Sequence, residues 1–213
     1  MSAPSSPRTL PIALFVIAAL AAACGLWLGN RLLSAPPRAT MRSAVLYPTP
    51  RSIPDFRLTR VNGQALTLAD WRDHWNLVYF GYASCPDVCP TTLATLKQVW
   101  TDLGKRGLSG KVRVDFVSVD PERDTAEHLG PYVAFFSPDF VAASGSDDQL
   151  TRLTRALGLV YTRTKDANGA IQVDHSGSVV IVDPQARLVG MFRPPLAAAA
   201  MAADVATLAG ATD

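Results

Sequence analysis

The spacing of apolar residues changes several times between the period of a strand and the period of a helix across residues 76–157. Apolar and β-branched runs predict three strands, at 76–82, 112–119 and 139–143. Apolar residues three to four positions apart predict three helices, at 91–103, 125–136 and 147–157. We expect Gly130-Pro131 to interrupt the second of these helices, since proline lacks the N–H that a helix interior uses.

The C-terminal third of the chain predicts a hairpin and a final helix. Strands at 178–182 and 187–192 flank a turn sequence at 183–186, and the alanine-rich stretch 196–208 predicts a helix. Residues 64–71 predict a small hairpin arm ahead of the first core strand. Strands alternating with helices, then a hairpin and a helix, predict an α/β sandwich with a mixed central sheet. This is the thioredoxin-like arrangement, in which a dithiol lies between a strand and the following helix.

The N-terminal segment has a different character from this predicted domain. Residues 10–29, LPIALFVIAALAAACGLWLG, carry no charge over a length that suits a membrane-spanning helix and exceeds the core of a cleaved signal. We therefore expect a tail at 1–9, a retained transmembrane anchor at 10–29, a proline-rich tether at 30–53 and the domain at 54–213. The alternative is a lipoprotein processed at Cys24, after a weak Ala21-Ala22-Ala23 box, although the apolar residues that follow argue against it.

Composition adds one exclusion. The net charge is +2 from 20 basic and 18 acidic residues, so nothing in the charge favours a nucleic-acid partner.

The segment GYASCPDVCP, residues 81–90, contains Cys85 and Cys89. We expect the regular helix to begin at about Pro90, with 85–89 as a loop at its N-terminus, where free N–H groups favour the thiolate. Thioredoxin-type oxidoreductases have two residues between their cysteines, whereas this chain has three, a spacing that suits chelation of one ion. A structural disulfide or two inert buried thiols are the other interpretations, although so short a loop would gain little from a disulfide.

A third ligand is expected from histidine. His175 lies just before the strand at 178–182, and in a thioredoxin arrangement the loop entering that strand lies beside the dithiol. His74 and His128 are interpreted as ordinary surface or packing residues. Two thiolates and one imidazole are soft donors that favour Cu(I), resemble part of a cysteine-histidine Cu(II) site, and suit zinc less completely. Asp87 and Asp174 are candidates for tuning such a site from outside, although solvated loop acids are the more ordinary interpretation.

Three blocks in order, YFGYASCPDVCP at 79–90, SVDPERDT at 118–125 and VDHS at 173–176, resemble those of the Sco/SenC copper proteins of cytochrome c oxidase assembly. The resemblance extends over roughly residues 54–210. The chain departs from the family at Ala83-Ser84, where relatives usually have Thr-His. That missing imidazole is not a family metal ligand, so partner recognition or redox tuning is what the departure affects.

The resemblance implies that Cys85, Cys89 and His175 hold one copper ion, as Cu(I) or Cu(II). The protein would deliver it to the binuclear copper site of oxidase subunit II or a similar copper-receiving protein, with another copper chaperone as a possible donor. It also implies a single-pass protein of a bacterial inner membrane with its domain in the periplasm. The basic residues Arg31, Arg38 and Arg42 after the span favour the opposite orientation, but translocation of a whole domain can override so short a flank.

Rival functions use the same two cysteines. A thiol-disulfide oxidoreductase that keeps the cysteines of subunit II or another client reduced needs the redox-active dithiol Cys85 and Cys89 but not His175. A thiol peroxidase would need one reactive and one resolving cysteine, and it gives the prolines and the histidine block no evident role. The sequence leaves open whether copper transfer, thiol reduction or redox sensing dominates.

Overall fold

The structure, a computed structural model, describes residues 9–33, 40–165 and 171–210, with side chains described for 14–29, 40–164 and 176–210. The chain divides into two compact units, residues 1–40 and 41–213. The described part of the first unit is helix α1, Thr9–Leu33. Among the residues that the structure describes, no helix combines the length and the apolar character needed to cross a membrane.

The second unit alternates strands and helices. Its described strands are β1 Ala44–Ser52, β2 Arg57–Arg60, β3 Ala65–Thr67, β4 Trp75–Gly81, β5 Val112–Ser118, β6 Val141–Ser144, β7 Tyr161–Lys165, β8 Ile171–His175, β9 Val179–Val182 and β10 Arg187–Phe192. Its described helices are α2 Val88–Lys105, α3 Ala126–Phe136, α4 Asp147–Ala156 and α5 Ala198–Gly210, with a 3₁₀ turn at Leu68–Trp71.

Within the described residues, eight strands form one sheet in the order β1-β10-β9-β4-β5-β6-β2-β3, while β7 and β8 pair separately. Strand β4 pairs parallel with β5 and antiparallel with β9, and β5 pairs parallel with β6. The predicted mixed sheet, parallel first and antiparallel at the hairpin, is therefore confirmed. The register of Tyr79 with Val179 brings the end of β4 beside the beginning of β9.

Strand β4 and helix α2 form the rigid support of the cysteine segment. All seven residues of β4 are buried, as expected for a central strand covered on both faces. Helix α2 buries a stripe of residues at helical spacing, which includes Leu93, Leu96, Val99 and Leu103. A fully buried leucine contributes about 1.5–3 kcal/mol, so this stripe fixes α2 firmly and with it the segment that precedes the helix.

The predicted tether at 30–53 is wrong at its C-terminal end, because Ala44–Ser52 forms β1. This strand lies at the edge of the sheet, antiparallel to β10, with an irregular register between Leu46 and Arg51. An edge strand tolerates Pro48 and Pro50 because one side of it needs no N–H donors. The same prolines had made the segment resemble an extended linker.

Two further details differ from the predictions. Helix α3 continues through Pro131 from Ala126 to Phe136, so Gly130-Pro131 does not interrupt it. The hairpin of β7 and β8 was not predicted, and it places His175 at the end of a strand rather than in a loop. Its register pairs Tyr161 with His175.

Asp204 of α5 fastens the beginning of β1 to the domain. Its buried carboxylate accepts hydrogen bonds from the backbone N–H groups of Arg42, Ser43 and Ala44 at 2.7, 2.7 and 2.8 Å. The hydroxyl of Ser43 donates another at 3.1 Å. Burial alone would raise the pKa of Asp204, but these donors outweigh it and hold the pKa below its ordinary value.

Replacing Asp204 by alanine is expected to lower the free energy of unfolding by about 3 kcal/mol, because several backbone donors lose a charged acceptor. Because the folded pKa is lowered, the contribution is complete above the unfolded value of about 3.9 and is lost as the pH falls through the folded value. Urea unfolding at pH 7 and pH 3 measures both effects. Asp148→Ala, at an exposed position on α4, is the control, and equal losses in the two variants would contradict the account.

Candidate metal centre

Cys85 and Cys89 lie where the chain passes from β4 into α2. Helix α2 begins at Val88, so Cys89 belongs to its first turn. The prediction that Cys89 lies in the preceding loop is therefore wrong. The backbone N–H of Cys89 points to the sulfur of Cys85, with N and Sγ 3.4 Å apart. Pro90 is the third residue of the helix, where its missing N–H would have had no intrahelical partner. The two sulfurs thus lie together at the positive end of a long helix.

The two thiols differ in exposure and acidity. Cys85 is partly exposed, whereas Cys89 is fully buried. Burial alone would raise the pKa of Cys85, but the backbone N–H groups of Asp87 and Cys89 outweigh it and bring the pKa below its ordinary value. Burial raises the pKa of Cys89 to about 12. A partly exposed cysteine of lowered pKa beside a buried thiol is the arrangement of a reactive dithiol, since thiolates are the nucleophiles and metal ligands.

Aromatic residues surround both sulfurs. The hydroxyl of Tyr79 donates to the sulfur of Cys89 at 3.6 Å, and the side chain of Tyr82 hydrogen-bonds with Cys85. A Cβ at Gly81 would lie 2.8 Å from the sulfur of Cys89 and 3.0 Å from the Phe116 ring. The sulfur of Cys89 therefore occupies a closed pocket whose walls leave no room for a larger residue at position 81.

The pKa difference predicts the order in which the thiols react. At pH 8, iodoacetamide is expected to alkylate Cys85 at least about a hundredfold faster than Cys89, because the thiolate fraction of Cys89 is far smaller and its sulfur is buried. Peptide mass spectrometry over time measures both rates in the reduced chain. Cys24, which is exposed, serves as an internal reference for reagent access. Faster alkylation of Cys89 than of Cys85 would contradict the assignment.

A loop at 118–125 supports the cysteine segment from the side. The buried carboxylate of Asp124 accepts from the backbone N–H of Ala83 at 2.9 Å and from the hydroxyl of Ser118 at 2.6 Å. The guanidinium of Arg123, ion-paired with Asp120, lies 5.7 Å from the centre of the Tyr82 ring. The sequence singled out this block through its resemblance but assigned it no contact, because a link across 41 residues has no local signal.

Gly177, two residues after His175, lies near the residue that precedes Cys89. A Cβ on Gly177 would lie 3.6 Å from Cγ1 of Val88, the residue before Cys89, and 3.1 Å from Cγ of Pro194. The side chain of His175 lies outside the described residues. Among the side chains that are described, no group of three or more histidine, cysteine or acidic residues is arranged to hold a metal.

The remaining candidates are the two aspartates next to the proposed ligands and the two other histidines. Asp87 is exposed and precedes α2, where its backbone N–H, rather than its carboxylate, bonds Cys85. Asp174 pairs with Thr162 in the hairpin, and its side chain lies outside the described residues. His74 is half-buried and His128 is exposed, and their Nδ1 atoms lie 2.9 and 3.3 Å from the backbone carbonyls of Arg72 and Arg123. His128 also lies 3.7 Å from the carboxylate of Asp124.

The donors present suit a soft metal ion. Two adjacent sulfurs, one with a lowered pKa and open to solvent, can bind a thiophilic cation or exchange with a disulfide. The fold and the site together define a thioredoxin-like protein with a dithiol between a strand and a helix.

The chain matches the SCO1/SenC family over residues 46–210, and it belongs to that family. It is 32% identical over 154 residues to a protein of Stutzerimonas stutzeri named for copper binding, with coverage of 72% of this chain and 75% of the relative. The mitochondrial SCO2 homolog of Bos taurus is 34% identical over 161 residues. That match covers 75% of this chain but 60% of the bovine protein.

A solved structure shows the same fold. The copper-bound ScoI of Bradyrhizobium japonicum superposes with a TM-score of 0.66 at 31% sequence identity, covering 73% of this chain and 98% of that one. The predicted thioredoxin-like class is confirmed by this likeness.

Proposed function

We propose that this protein is a copper metallochaperone, which binds one copper ion through Cys85, Cys89 and His175. The observation that carries the proposal is the approach of Gly177, two residues after His175, to Val88, one residue before Cys89: a Cβ on Gly177 would lie 3.6 Å from Cγ1 of Val88. A histidine side chain reaches several ångströms from its backbone, so this approach supports an imidazole ligand from position 175. The copper-bound relative supports the choice of metal.

The described residues suit copper loading and release. Cys85 is partly exposed and its pKa is lowered, so it makes the first bond to an arriving ion. Cys89 is held in its closed pocket by Tyr79 and completes the pair from within. Its high pKa means that binding displaces a proton from this thiol, since a thiolate is the metal ligand. Copper held at the edge of the domain remains accessible to the ligands of a receiving protein.

The receiving protein that we propose is cytochrome c oxidase subunit II, with delivery to its binuclear copper site.

We further propose that residues 10–29 anchor the chain in a bacterial inner membrane with the domain in the periplasm. The uncharged sequence of residues 10–29 and the family membership of the chain support these proposals. Intact mass of the purified chain distinguishes a retained anchor from processing and lipidation at Cys24. Two reporters fused after Asp213, one active only in the periplasm and one active only in the cytoplasm, test the orientation. Activity of the cytoplasmic reporter alone would contradict a periplasmic domain.

The second candidate is a thiol-disulfide reductase acting on the cysteines of subunit II or another client. The observation that favours it is the contrast between a partly exposed Cys85 of lowered pKa and a buried Cys89. Such contrast is what disulfide exchange needs. It requires no imidazole.

His175→Ala separates the two candidates in the full-length chain. A metallochaperone is expected to lose copper affinity by about tenfold or more, because a metal site loses one of its ligands. The rate at which the reduced dithiol opens a model disulfide should remain within about twofold of wild type, since both thiols stay in place. Copper stoichiometry and competition with a chromophoric Cu(I) chelator give the affinity. Unchanged affinity with full exchange activity would favour the reductase.

A further inference from the structure

The hairpin of β7 and β8 carries His175 at its end but is not part of the main sheet. The hydrogen-bond ladder of that sheet therefore fixes the chain from Val179 onward but does not include the hairpin itself. The N–H of Ser176 bonds the carbonyl of Val160 at 3.3 Å, which closes the base of the hairpin on itself. Among the described residues, side-chain contacts from β7 join the hairpin to the domain.

Arg163 is the centre of these contacts. Its guanidinium forms ion pairs with Asp147, in the first turn of α4, and with Glu122, whose carboxylate oxygen lies 4.0 Å away. It also lies 6.0 Å from the centre of the Tyr161 ring. The hydroxyl of Tyr161 in turn lies 3.2 Å from that of Thr151 on α4. Arg163 thus links the hairpin to two separate elements.

The burial of Arg163 distinguishes it from an ordinary surface charge. Its side chain is 18% exposed, whereas that of Arg152, which pairs with Asp148 within α4, is 61% exposed. An exposed pair within one helix contributes little. The side chains of Asp147 and Glu122 are mostly exposed, so their ion pairs with Arg163 are partly screened, but one half-buried guanidinium makes both of them.

The partner Glu122 connects this contact to the cysteines. Glu122 belongs to the loop 118–125, in which Asp124 accepts from Ala83 of the cysteine segment and Arg123 covers Tyr82. One loop therefore contacts the segment that carries Cys85 and, through Arg163, the hairpin that carries His175. The register places Arg163 opposite Val173 and Tyr161 opposite His175, so both residues lie on the part of β7 that pairs with 173–175.

We propose that Arg163 is a positioning residue for the third copper ligand. By tying β7 to α4 and to the loop 118–125, it holds the strand that ends at His175 beside the dithiol. This inference rests on the proposed function, and it adds a residue that touches neither the metal nor the cysteines. Without Arg163, the hairpin would move more freely, and binding would include the entropic cost of ordering it.

The test is a double-mutant cycle on the full-length chain with Cu(I), competed against a chromophoric chelator. Arg163→Ala is expected to weaken copper binding by about tenfold, the effect of losing two partly screened ion pairs. In a His175→Ala background the same substitution is expected to change affinity by less than twofold. Arg152→Ala, which removes the exposed ion pair with Asp148 on α4, should bind copper as tightly as wild type.

A second readout is independent of copper. Amide hydrogen exchange of the reduced apo chain is expected to rise at 171–175 in Arg163→Ala but not in Arg152→Ala. Asp147→Asn, which removes one of the two ion pairs and leaves the pair with Glu122, should show the same increase at smaller size. If Arg163→Ala is unstable, copper affinity is measured on Asp147→Asn instead.

The outcomes separate the two proposals. If His175→Ala weakens copper binding while Arg163→Ala and Asp147→Asn bind as wild type, the proposed ligands stand and the role of Arg163 is overturned. An Arg163→Ala effect that persists undiminished without His175 also overturns it, because the loss is then a general one. If His175→Ala binds copper as tightly as wild type, the ligand set itself fails, whatever hydrogen exchange shows at the hairpin.

Discussion

Replacing Cys89 by alanine is expected to abolish tight copper binding, with affinity falling by more than about a hundredfold. Loss of an outer hydrogen-bond partner alone typically weakens a metal site by 10- to 100-fold, so loss of a sulfur ligand exceeds that range. Cys85→Ala should have a similar effect, since neither sulfur can replace the other. Competition against a chromophoric Cu(I) chelator at pH 7 measures both affinities under reducing conditions.

The chain supplies its own matched control in Cys24, the third cysteine. Cys24→Ala removes a thiol that is exposed on α1, and it should leave copper affinity unchanged. Cys89→Ser tests whether packing explains the loss, because serine has nearly the same shape but is a hard oxygen donor. Retention of copper binding by Cys89→Ser, or its loss in Cys24→Ala, would show that the metal is held elsewhere.

Replacing Asp124 by alanine is expected to have the second largest effect. The change leaves the N–H of Ala83 and the hydroxyl of Ser118 without their buried acceptor, so the free energy of unfolding should fall by about 2–4 kcal/mol. Because Ala83 lies two residues before Cys85, copper affinity should also fall, by about 10- to 100-fold. Urea unfolding of the apo chain and chelator competition measure the two losses.

Two controls separate support of the cysteine segment from general stability. Ser118→Ala removes the hydroxyl bond to Asp124 but leaves the bond to Ala83, so it should lower stability with little change in affinity. Asp139→Ala removes an exposed carboxylate that accepts from Trp100 at 3.3 Å, far along α2 from the cysteines. If Ser118→Ala weakens copper binding as much as Asp124→Ala does, the bond to Ala83 has no special role.

The core of the fold was predictable because its signals are local. Strand β4 is an apolar run, and α2 repeats leucines and valines at helical spacing, so the order of strand, dithiol and helix followed directly from the sequence. The alternation of later strands and helices then predicted the mixed sheet. Copper as the metal followed from the chemistry of two thiols and a histidine together with the resemblance, and solved relatives contain it.

The errors arose where local signals conflict with tertiary context. Strand β1 contains Pro48 and Pro50 and was interpreted as a linker, because an edge strand and an extended tether have the same residues. Strand β7 is mostly polar, and the apolar residues Ile171 and Val173 of β8 alternate over too short a stretch to distinguish a strand from a loop. Helix α2 begins at Val88, with Asp87 as its N-cap, so Pro90 is its third residue rather than its first.

The parts of the site that were missed depend on long-range contacts. The bond from Ala83 to Asp124 joins residues 41 positions apart, and Arg163 meets acids on two different elements. Charges in loops give no sequence signal for such pairings, since most loop charges are simply solvated. The block at 118–125 was visible as a pattern, but its role became clear only when the fold placed it beside the cysteine segment. The set of three ligands remains a prediction.

X-ray absorption at the copper edge of the Cu(I)-loaded full-length chain tests that set most directly. The expected spectrum of the wild type fits two sulfurs and one imidazole nitrogen. The imidazole scattering should vanish in His175→Ala and persist in the His74→Ala and His128→Ala controls. A wild-type spectrum with sulfur ligands alone, or an imidazole signal that survives His175→Ala, would contradict the proposed copper site.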